Sequence, residues 1–413
     1  MASFGLGIFS SSPANSASAA HAINALGLDL LAKGTEPGRN ALLSPYSIQS
    51  ALAMTFAGSD GDTHAEMARV LHYPANESHL HQSFASLRQE LAEIEKATIA
   101  SVENCKKWGG AGEPITLTVA NRLFGQEGYA FRADFLAMLQ DAYKAPLQPM
   151  DFAHDAAQAR LKINGWVEEQ TRQRIRDLIP PGGVDADTRM ALVNAIYLKA
   201  PWQVEFYGGN TKPLPFHVNG CEPHDVPTMY RQGRLGYAKR DGFSVVTIPY
   251  SASELQFLIL LPEAKAGLPA MESKLTPEIL ATVADPGQAE LKLYLPKFKI
   301  EPPLFALGRT LCALGMKTAF DQPQGSANFD RMAPRRPENY LFISEVFHKT
   351  FLALDERGTE AAAATAVAVA AGCARRAQPI EPIEVRVDRP FLFAIQHRPS
   401  GACLFLGRMN DPR

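Results

Sequence analysis

The chain has 413 residues, of which 46% are hydrophobic and 20% charged, so it is long enough and apolar enough to bury a large globular core. Its 41 basic and 43 acidic side chains nearly balance, which argues against the concentrated basic surplus of a nucleic-acid binder. No stretch reaches the ~20 apolar residues that span a bilayer. We therefore expect neither a nucleic acid nor a membrane as a partner.

Five cysteines are scattered along the chain without a CxxC pair: Cys105, Cys221, Cys312, Cys373 and Cys403. This pattern is typical neither of a disulfide framework nor of a zinc site, so we expect reduced thiols, no metal and no cofactor.

Residues 1–20 are rich in Ser and Ala and contain no Lys or Arg, so they lack the positive region of a signal peptide. We expect this segment to be disordered or processed, and residues 21–413 to form one domain. An extracellular protein whose signal was removed or is absent from the sequence is favoured, with a cytoplasmic location as the alternative.

Helical patterns come first along the chain. Ser44 is an N-cap residue, Pro45 follows it in the first turn, and Gly58 ends the apolar periodicity. The next helix is predicted to open with a capping box formed by Thr63 and Glu66. These signals predict two consecutive helices near the N-terminus.

Another helix is predicted over roughly 156–179, where apolar residues recur at helical spacing. Strand patterns follow. Residues 190–198 and 257–261 are nearly continuous in apolar residues, as strands covered on both faces would be, and 291–295 alternate with period two. Residues 391–406 predict a buried hairpin. Helices followed by strands indicate a mixed α+β protein.

One segment, residues 355–372 (DERGTEAAAATAVAVAAG), fits none of these descriptions. Composition alone favours a linker or a surface helix, because Ala is the best helix former. With a period of two, however, one face carries only small or β-branched side chains: Thr359, Ala361, Ala363, Thr365, Val367 and Val369. Glu360 would lie on the other face, toward solvent. Such a segment could be exposed in one state and a central strand in another.

This segment resembles the reactive-loop hinge of the serpins, and motifs along nearly the whole chain resemble the same family. The matching runs are residues 40–54 (NALLSPYSIQSALAM), 121–124 (NRLF), 192–202 (LVNAIYLKAPW), 295–300 (LPKFKI), 342–349 (FISEVFHK), 388–393 (DRPFLF) and 405–408 (FLGR). The resemblance implies an α+β serpin fold with three β-sheets, eight or nine helices and an exposed reactive-centre loop.

The resemblance also implies a protease inhibitor that acts as a suicide substrate. It would trap a serine protease, or a cysteine protease, as an acyl-enzyme by inserting its cleaved loop into the main sheet. An enzyme is not expected, since the sequence has no G-x-S-x-G, H-E-x-x-H or phosphate loop. A non-inhibitory serpin, such as a carrier or chaperone, is the alternative. Its hinge would typically be bulky, charged or proline-bearing, so the small hinge residues favour an inhibitor. We expect the protein to be a monomer.

By the same resemblance, three groups of residues have roles in loop insertion. The shutter, a polar cluster beneath the main sheet, comprises Ser44, Ser47, Asn194 and His348. These side chains could instead be ordinary caps and satisfied core groups, although Asn194 in an apolar strand needs a nearby partner. The breach, at the top of the sheet, contains Trp202 and Lys297, and Lys297 is expected to pair with Glu356. The hinge comprises Glu356, Gly358, Thr359, Glu360, Ala361, Ala363 and Thr365.

Two assignments of the scissile bond stay open. Family spacing from the hinge glycine places it at Gly372–Cys373, where small residues suit an elastase- or subtilisin-like protease. Arg375 and Arg376 lie just beyond and would suit a trypsin-like enzyme with an acidic specificity pocket. A more distant scissile bond would leave extra loop between the inserted strand and the captured protease. That slack would weaken the distortion of the protease, which favours the nearer bond.

Overall fold

The computed structural model describes residues 16–110, 112–336, 339–360 and 381–413. Nine α-helices occur in these ranges: α1 (Ala17–Gly34), α2 (Pro45–Phe56), α3 (Gly61–Val70), α4 (Glu77–Lys107), α5 (Ala133–Met138), α6 (Phe152–Gln170), α7 (Leu268–Glu272), α8 (Pro277–Thr282) and α9 (Gly308–Leu314). Across the described ranges, no helix combines the length and the apolar character needed to cross a membrane.

The strands of the described ranges are β1 (Ala41–Leu43), β2 (Thr116–Gln126), β3 (Gln148–Met150), β4 (Met190–Pro201), β5 (Lys212–His217), β6 (Pro223–Arg240), β7 (Phe243–Pro249), β8 (Leu255–Pro262), β9 (Gln288–Pro296), β10 (Phe298–Ile300), β11 (Phe305–Ala306), β12 (Val346–Lys349), β13 (Leu352–Leu354), β14 (Gly358–Thr359), β15 (Ile383–Arg386), β16 (Phe391–His397) and β17 (Ala402–Met409).

Of the two helix starts predicted from capping residues, one agrees with the structure and one does not. Ser44 caps α2, and its hydroxyl accepts from the Ser47 N–H at 3.2 Å. The capping box predicted at Thr63 is wrong, because α3 already begins at Gly61 after Asp60. The Thr63 hydroxyl instead accepts from the Asn328 N–H, so this side chain serves a tertiary contact.

Two boundaries also differ from expectation. Helix α1 begins at Ala17, and Ala19 and Ala20 are buried, so residues 17–20 belong to the folded part rather than to the N-terminal segment. Helix α6 ends at Gln170 instead of near 179. The following segment, 171–179, keeps buried apolar residues, but positive φ angles such as +50° at Arg172 stop the helix.

The main sheet is built around β4. Strand β2 runs antiparallel along one edge of β4, from the pair Thr116–Lys199 to the pair Gly125–Met190. On the other edge the strand order continues through β14, β13 and β10 at one end and through β12 and β11 at the other. Strand β4 is therefore central and buried on both faces, as its apolar run predicted.

A second hydrogen-bonded network runs in the order β1-β17-β16-β8-β7-β6-β9-β15, with β5 also paired to β6. The 18-residue strand β6 joins its two parts, since one end pairs with β7 and the remainder with β9 and β5. The expected three sheets are thus the main sheet and two sheets that are continuous through β6.

The two faces of β4 contact different apolar clusters. Leu192, Ile196 and Leu198 face the main core, which extends from α1 to β17. Val193 faces a smaller cluster beneath α6, which also contains Phe347 of β12. Helix α6 therefore packs on this face of the main sheet, in contact with β2.

Candidate functional site

We call the boundary between β4 on one side and β12–β13 on the other the seam. At its lower end β12 pairs directly with β4 in parallel, with His348 opposite Asn194. At its upper end β14 lies between them and is antiparallel to both: Thr359 pairs with Ala200 and with Leu354. Two hinge residues therefore already occupy the place of an additional strand.

Backbone hydrogen bonds fix this short strand at both ends. The Trp202 N–H donates to the Arg357 carbonyl at 2.8 Å, and the Glu360 N–H donates to the Ala353 carbonyl at 2.8 Å. The Trp202 indole also donates to the Asp355 carbonyl at 3.0 Å. Trp202 thus holds the turn that leads into the hinge.

Gly358 approaches β4 more closely than another residue could. Its φ is +155°, and an added Cβ would lie 2.2 Å from the Ala200 carbonyl oxygen. Only glycine tolerates both the dihedral and the contact.

Thr359 faces the main core and is 1% exposed. Its hydroxyl lies 2.5 Å from that of Tyr250, whose ring stacks on Trp202 with centroids 4.7 Å apart. Burial raises the pKa of Tyr250, so this phenol remains a neutral hydrogen-bonding group. Sequence reasoning missed Tyr250, since no local pattern connects it with the hinge.

Glu360 lies on the opposite face, but the expectation that it points to solvent is wrong. Its side chain is only 10% exposed and forms an ion pair with Arg174 from the segment after α6. Burial raises the pKa of Glu360, although the hydrogen bond and charge of Arg174 oppose the shift. Its φ of +48° turns the chain out of the strand.

Glu356 anchors the start of the hinge. Lys297 Nζ lies 2.7 Å from Glu356 Oε2, which is the ion pair that the resemblance implied, and Thr211 donates to Oε1 at 2.7 Å. Burial opposes ionisation of Glu356, but these two partners outweigh it and hold the pKa of the carboxyl below its ordinary value.

The four shutter residues meet at the lower end of the seam. His348 Nε2 accepts from the Ser44 N–H at 3.1 Å, so its Nδ1 carries the proton and donates to Asn194 Oδ1 at 2.7 Å. Asn194 in turn donates to Ser47 Oγ at 2.7 Å. Burial lowers the pKa of His348 to about 3, which keeps the ring neutral.

Asn121 of β2 completes this cluster, although the sequence placed it only within a matching motif. Its Oδ1 accepts from Asn194 at 3.0 Å and from Ser47 Oγ at 2.9 Å, and its amide donates to the Ser47 carbonyl. Every polar group at the centre of the cluster therefore has a partner.

The model of the serpin family, described as serine protease inhibitor, matches residues 21–412. The chain belongs to the serpin family. It is 38% identical to the leukocyte elastase inhibitor of Bos taurus over 404 residues, which cover 96% of this chain and 99% of that protein.

Two solved structures show the same fold. Uncleaved ovalbumin aligns with a TM-score of 0.77 and 28% identity, over 95% of this serpin and 99% of that chain. The thermophilic serpin tengpin, in its native state, aligns with a TM-score of 0.79 and 26% identity, over 95% and 94% of the two chains. The expected α+β serpin fold is confirmed, and so is the class of protease inhibitor rather than enzyme.

The remaining site residues expected for this serpin lie outside the described residues. They are Ala361, Ala363 and Thr365 of the hinge and both candidate scissile positions, Gly372–Cys373 and Arg375–Arg376. The structure describes the chain up to Glu360, at the upper end of the seam.

Proposed function

We propose that this serpin, acting as a monomer, inhibits an elastase-like serine protease as a suicide substrate. The protease serine attacks a carbonyl within residues 361–380, the peptide bond breaks, and the new amino terminus leaves with the C-terminal part of the chain. The loop, now an ester of the enzyme, then inserts into the seam. The position of β14 between β4 and β13 carries this proposal.

The register of β14 supports continued insertion. Thr359 pairs with Ala200 on one side and Leu354 on the other. The separation in sequence between these two partners equals that between Asn194 and His348, which pair directly lower in the seam. Strands β4 and β12–β13 therefore keep one alignment along the whole seam. A strand that continues β14 without a bulge would replace each β4–β12 pair in turn.

If insertion continues in this register, the partners of each inserted residue can be predicted. Thr365 would lie between Asn194 and His348, on the same face as Thr359. Insertion would therefore break the Asn194–His348 hydrogen bond, and the Thr365 hydroxyl could replace it with bonds to both side chains. Small side chains on this face, such as Ala363, suit a site that opens into a packed core.

The same register supports the nearer scissile bond. Val369 would pair with Met190, the first residue of β4, and Gly372 follows three positions later. A protease held at Gly372 would thus be drawn close to the end of the sheet. Arg376 lies four positions beyond Gly372, and an extended chain adds up to ~3.5 Å per residue of slack.

Two observations support an elastase-like target. The chain is 38% identical to a relative named leukocyte elastase inhibitor. Small residues also surround the proposed bond, from Val369 to Cys373, and a protease with a narrow specificity pocket accepts such residues.

The test is to incubate the protein with neutrophil elastase, pancreatic elastase, subtilisin and trypsin, and to analyse the products by denaturing electrophoresis and intact mass. We expect a covalent complex with an elastase, together with a released peptide that begins at Cys373. Each protease with its active serine blocked beforehand serves as the control. A cut loop with fully active protease throughout the panel would instead support the non-inhibitory alternative.

A further inference from the structure

Helix α4 is 31 residues long, and its last part leaves the packed body of the protein. The last residue that it buries is Thr98, and no residue of 99–107 is buried. This stretch of helix spans ~13 Å. We call residues 99–108 the overhang, because Trp108 follows the helix as its C-cap residue.

The side that α4 buries continues along the overhang as an apolar stripe. The stripe comprises Val102, Cys105 and Trp108. These residues continue the spacing of three or four positions that the buried residues of α4 follow up to Thr98. Cys105 is exposed, and Trp108 is 86% exposed, more than any other large apolar side chain of the described residues. Such a surface indicates an interaction site.

Helix α1 leads toward the overhang. Near the start of α4, the Asp29 carboxylate of α1 lies 2.8 Å from His72. Farther along α4, Glu90 contacts the β16–β17 hairpin, and so does Asn24 of α1. The two helices pack against each other in opposite directions, so α1 begins on the side where α4 ends.

The chain that precedes α1 is long enough to reach the overhang. Ser16 is fully buried at the start of α1 and fixes the end of residues 1–15, which lie outside the described residues. An extended chain spans up to ~3.5 Å per residue, so Phe9 can lie up to ~25 Å from Ser16 and Phe4 up to ~40 Å. The helix from Glu90 to Trp108 spans ~27 Å. The overhang is therefore within reach of residues 4–9.

Residues 4–9 (FGLGIF) have the composition that such a stripe would bind. In an extended chain Phe4, Leu6 and Ile8 share one face, and the two glycines between them lie on the other. This apolar face spans ~14 Å, about the length of the overhang. Residues 1–15 contain no charged side chain, so their burial would leave no ion unpaired. The covalent tether also favours this segment over a free partner.

We propose that residues 4–9 of the same chain cover the overhang. The apolar face of this segment packs against Trp108 and shields the Cys105 thiol. For these residues the proposal replaces the expectation of a disordered or processed segment. It concerns the intact protein and is independent of protease inhibition.

The experiment measures how fast N-ethylmaleimide modifies Cys105 in the intact full chain, by a short pulse followed by digestion and mass spectrometry. Leu6→Ser combined with Ile8→Ser removes the apolar face and should raise the rate at Cys105 severalfold. Cys221, an exposed thiol between β5 and β6, is the internal reference and should keep its rate.

The matched control is Gly5→Ser combined with Gly7→Ser. It places the same two hydroxyls on the opposite face of the segment, so it should leave the rate at Cys105 unchanged. Buried Cys403 should remain unmodified in both variants, which would show that the fold is retained.

Trp108→Ser removes the other side of the contact and should also raise the rate at Cys105. Adding Leu6→Ser and Ile8→Ser to this variant should then have little further effect, because both changes break the same contact.

Two other occupants of the overhang give different results. If a second copy of the chain covered it, Cys105 would react faster on dilution. If a membrane covered it, vesicles of phosphatidylserine and phosphatidylcholine would slow the reaction. We expect neither effect. Either one, an unchanged rate in the Leu6→Ser and Ile8→Ser variant, or an equal rise in both double-serine variants would overturn the proposal.

Discussion

His348 and Asn194 are joined across the seam by a hydrogen bond of 2.7 Å, from the imidazole Nδ1 to the amide oxygen. The other ring nitrogen must accept from the Ser44 backbone N–H, which is a donor only. In a protonated ring, Nε2 would also carry a proton, and this N–H would face the Ser44 N–H, so two donors would oppose each other. The contact that closes the lower seam therefore requires a neutral histidine.

The first prediction is a pH dependence of stability that originates at His348. Its pKa falls from an ordinary value near 6.5 to about 3 on folding, so between these values the unfolded chain binds a proton that the folded chain excludes. The contribution of His348 to the free energy of unfolding is fully present above pH 6.5. It decreases as the pH is lowered below that value, by up to ~1.4 kcal/mol per pH unit.

Burial also lowers the pKa of His397, to about 4, and that of His81, so the measurement must isolate His348. Urea unfolding of the unmodified protein and of His348→Gln, between pH 4 and 7, provides the comparison. The stability advantage of the unmodified protein should shrink as the pH falls. Two curves that stay parallel over this range would contradict the assignment.

Family resemblance and local chemistry together explain which parts of this arrangement could be predicted from sequence. The resemblance grouped Ser44, Asn194 and His348, while local chemistry showed only that Ser44 has the N-cap pattern and that a buried Asn194 requires a polar partner. Tyr250 and Arg174 were not predicted. They contact Thr359 and Glu360 across 109 and 186 positions of sequence, and no local pattern records such contacts.

The predicted end of α6 failed for a related reason. Ile175, Leu178 and Ile179 are buried as a helix would bury them, but in a non-helical segment that packs on the same cluster. Apolar spacing records burial and cannot by itself distinguish a helix from an irregular segment lying on a sheet. Arg174 projects from this segment, so the ion pair with Glu360 could not be predicted.

The second prediction concerns Thr359→Arg. The guanidinium would lie unpaired in the core between Ala200 and Leu354, which costs several kcal/mol. Insertion should therefore slow relative to deacylation, and the number of serpin molecules consumed per trapped protease should rise severalfold. Because Thr359 is already buried in the intact protein, we also expect a lower melting temperature.

Titration of a fixed amount of elastase with the variant measures this ratio. Thr359→Ser is the matched control, since it keeps the hydroxyl that contacts Tyr250. It should retain the ratio of the unmodified protein. An unchanged ratio in Thr359→Arg would show that the side chain at this position does not influence insertion.

The third prediction is that Gly358→Ala displaces β14 from the seam. The new methyl would clash with the Ala200 carbonyl oxygen, so the Thr359–Tyr250 contact should be lost and the ring stack of Trp202 disturbed. We expect a lower unfolding midpoint in urea and a red shift of tryptophan fluorescence.

Gly242→Ala separates the clash from backbone strain. Gly242 also has a positive φ, of +81°, but an added Cβ there meets no atom within 4 Å. That variant should lose only the ~1–2 kcal/mol of a strained residue and keep its fluorescence spectrum. If both variants lost the same free energy of unfolding, the close approach of Gly358 to β4 would contribute nothing beyond backbone strain.

The fourth prediction concerns heat stability after cleavage. Successive inserted residues would form backbone hydrogen bonds alternately to β4 and to β12–β13, and Val367 would add an apolar side chain to the core face. A sample cut once in the loop by trypsin, which we expect to be mainly turned over, should therefore melt at a higher temperature than the intact protein, as differential scanning calorimetry would show. The cut Thr359→Arg variant should show a smaller rise. Identical melting before and after the cut would exclude insertion.

The last prediction concerns the bond that leads to trapping. A trypsin-like enzyme will cut after Arg375 or Arg376 in any accessible chain, so cleavage there does not identify the inhibitory bond. Trapping distinguishes the two assignments, because it requires a short tether between the inserted strand and the enzyme. We expect elastase-like proteases to be trapped with cleavage after Gly372, and trypsin to be mainly turned over.

The decisive variants change one assignment at a time. Arg375→Ala combined with Arg376→Ala should leave trapping of elastase intact, because neither side chain lies before the Gly372–Cys373 bond. Gly372→Pro should abolish it, because proline at the cleaved carbonyl hinders attack and fixes the backbone dihedral. Electrophoresis of the covalent complex and the mass of the released C-terminal peptide give both results. If the double arginine variant loses all trapping while Gly372→Pro keeps it, an arginine is the recognition residue, and the register argument from Met190 and Val369 is wrong.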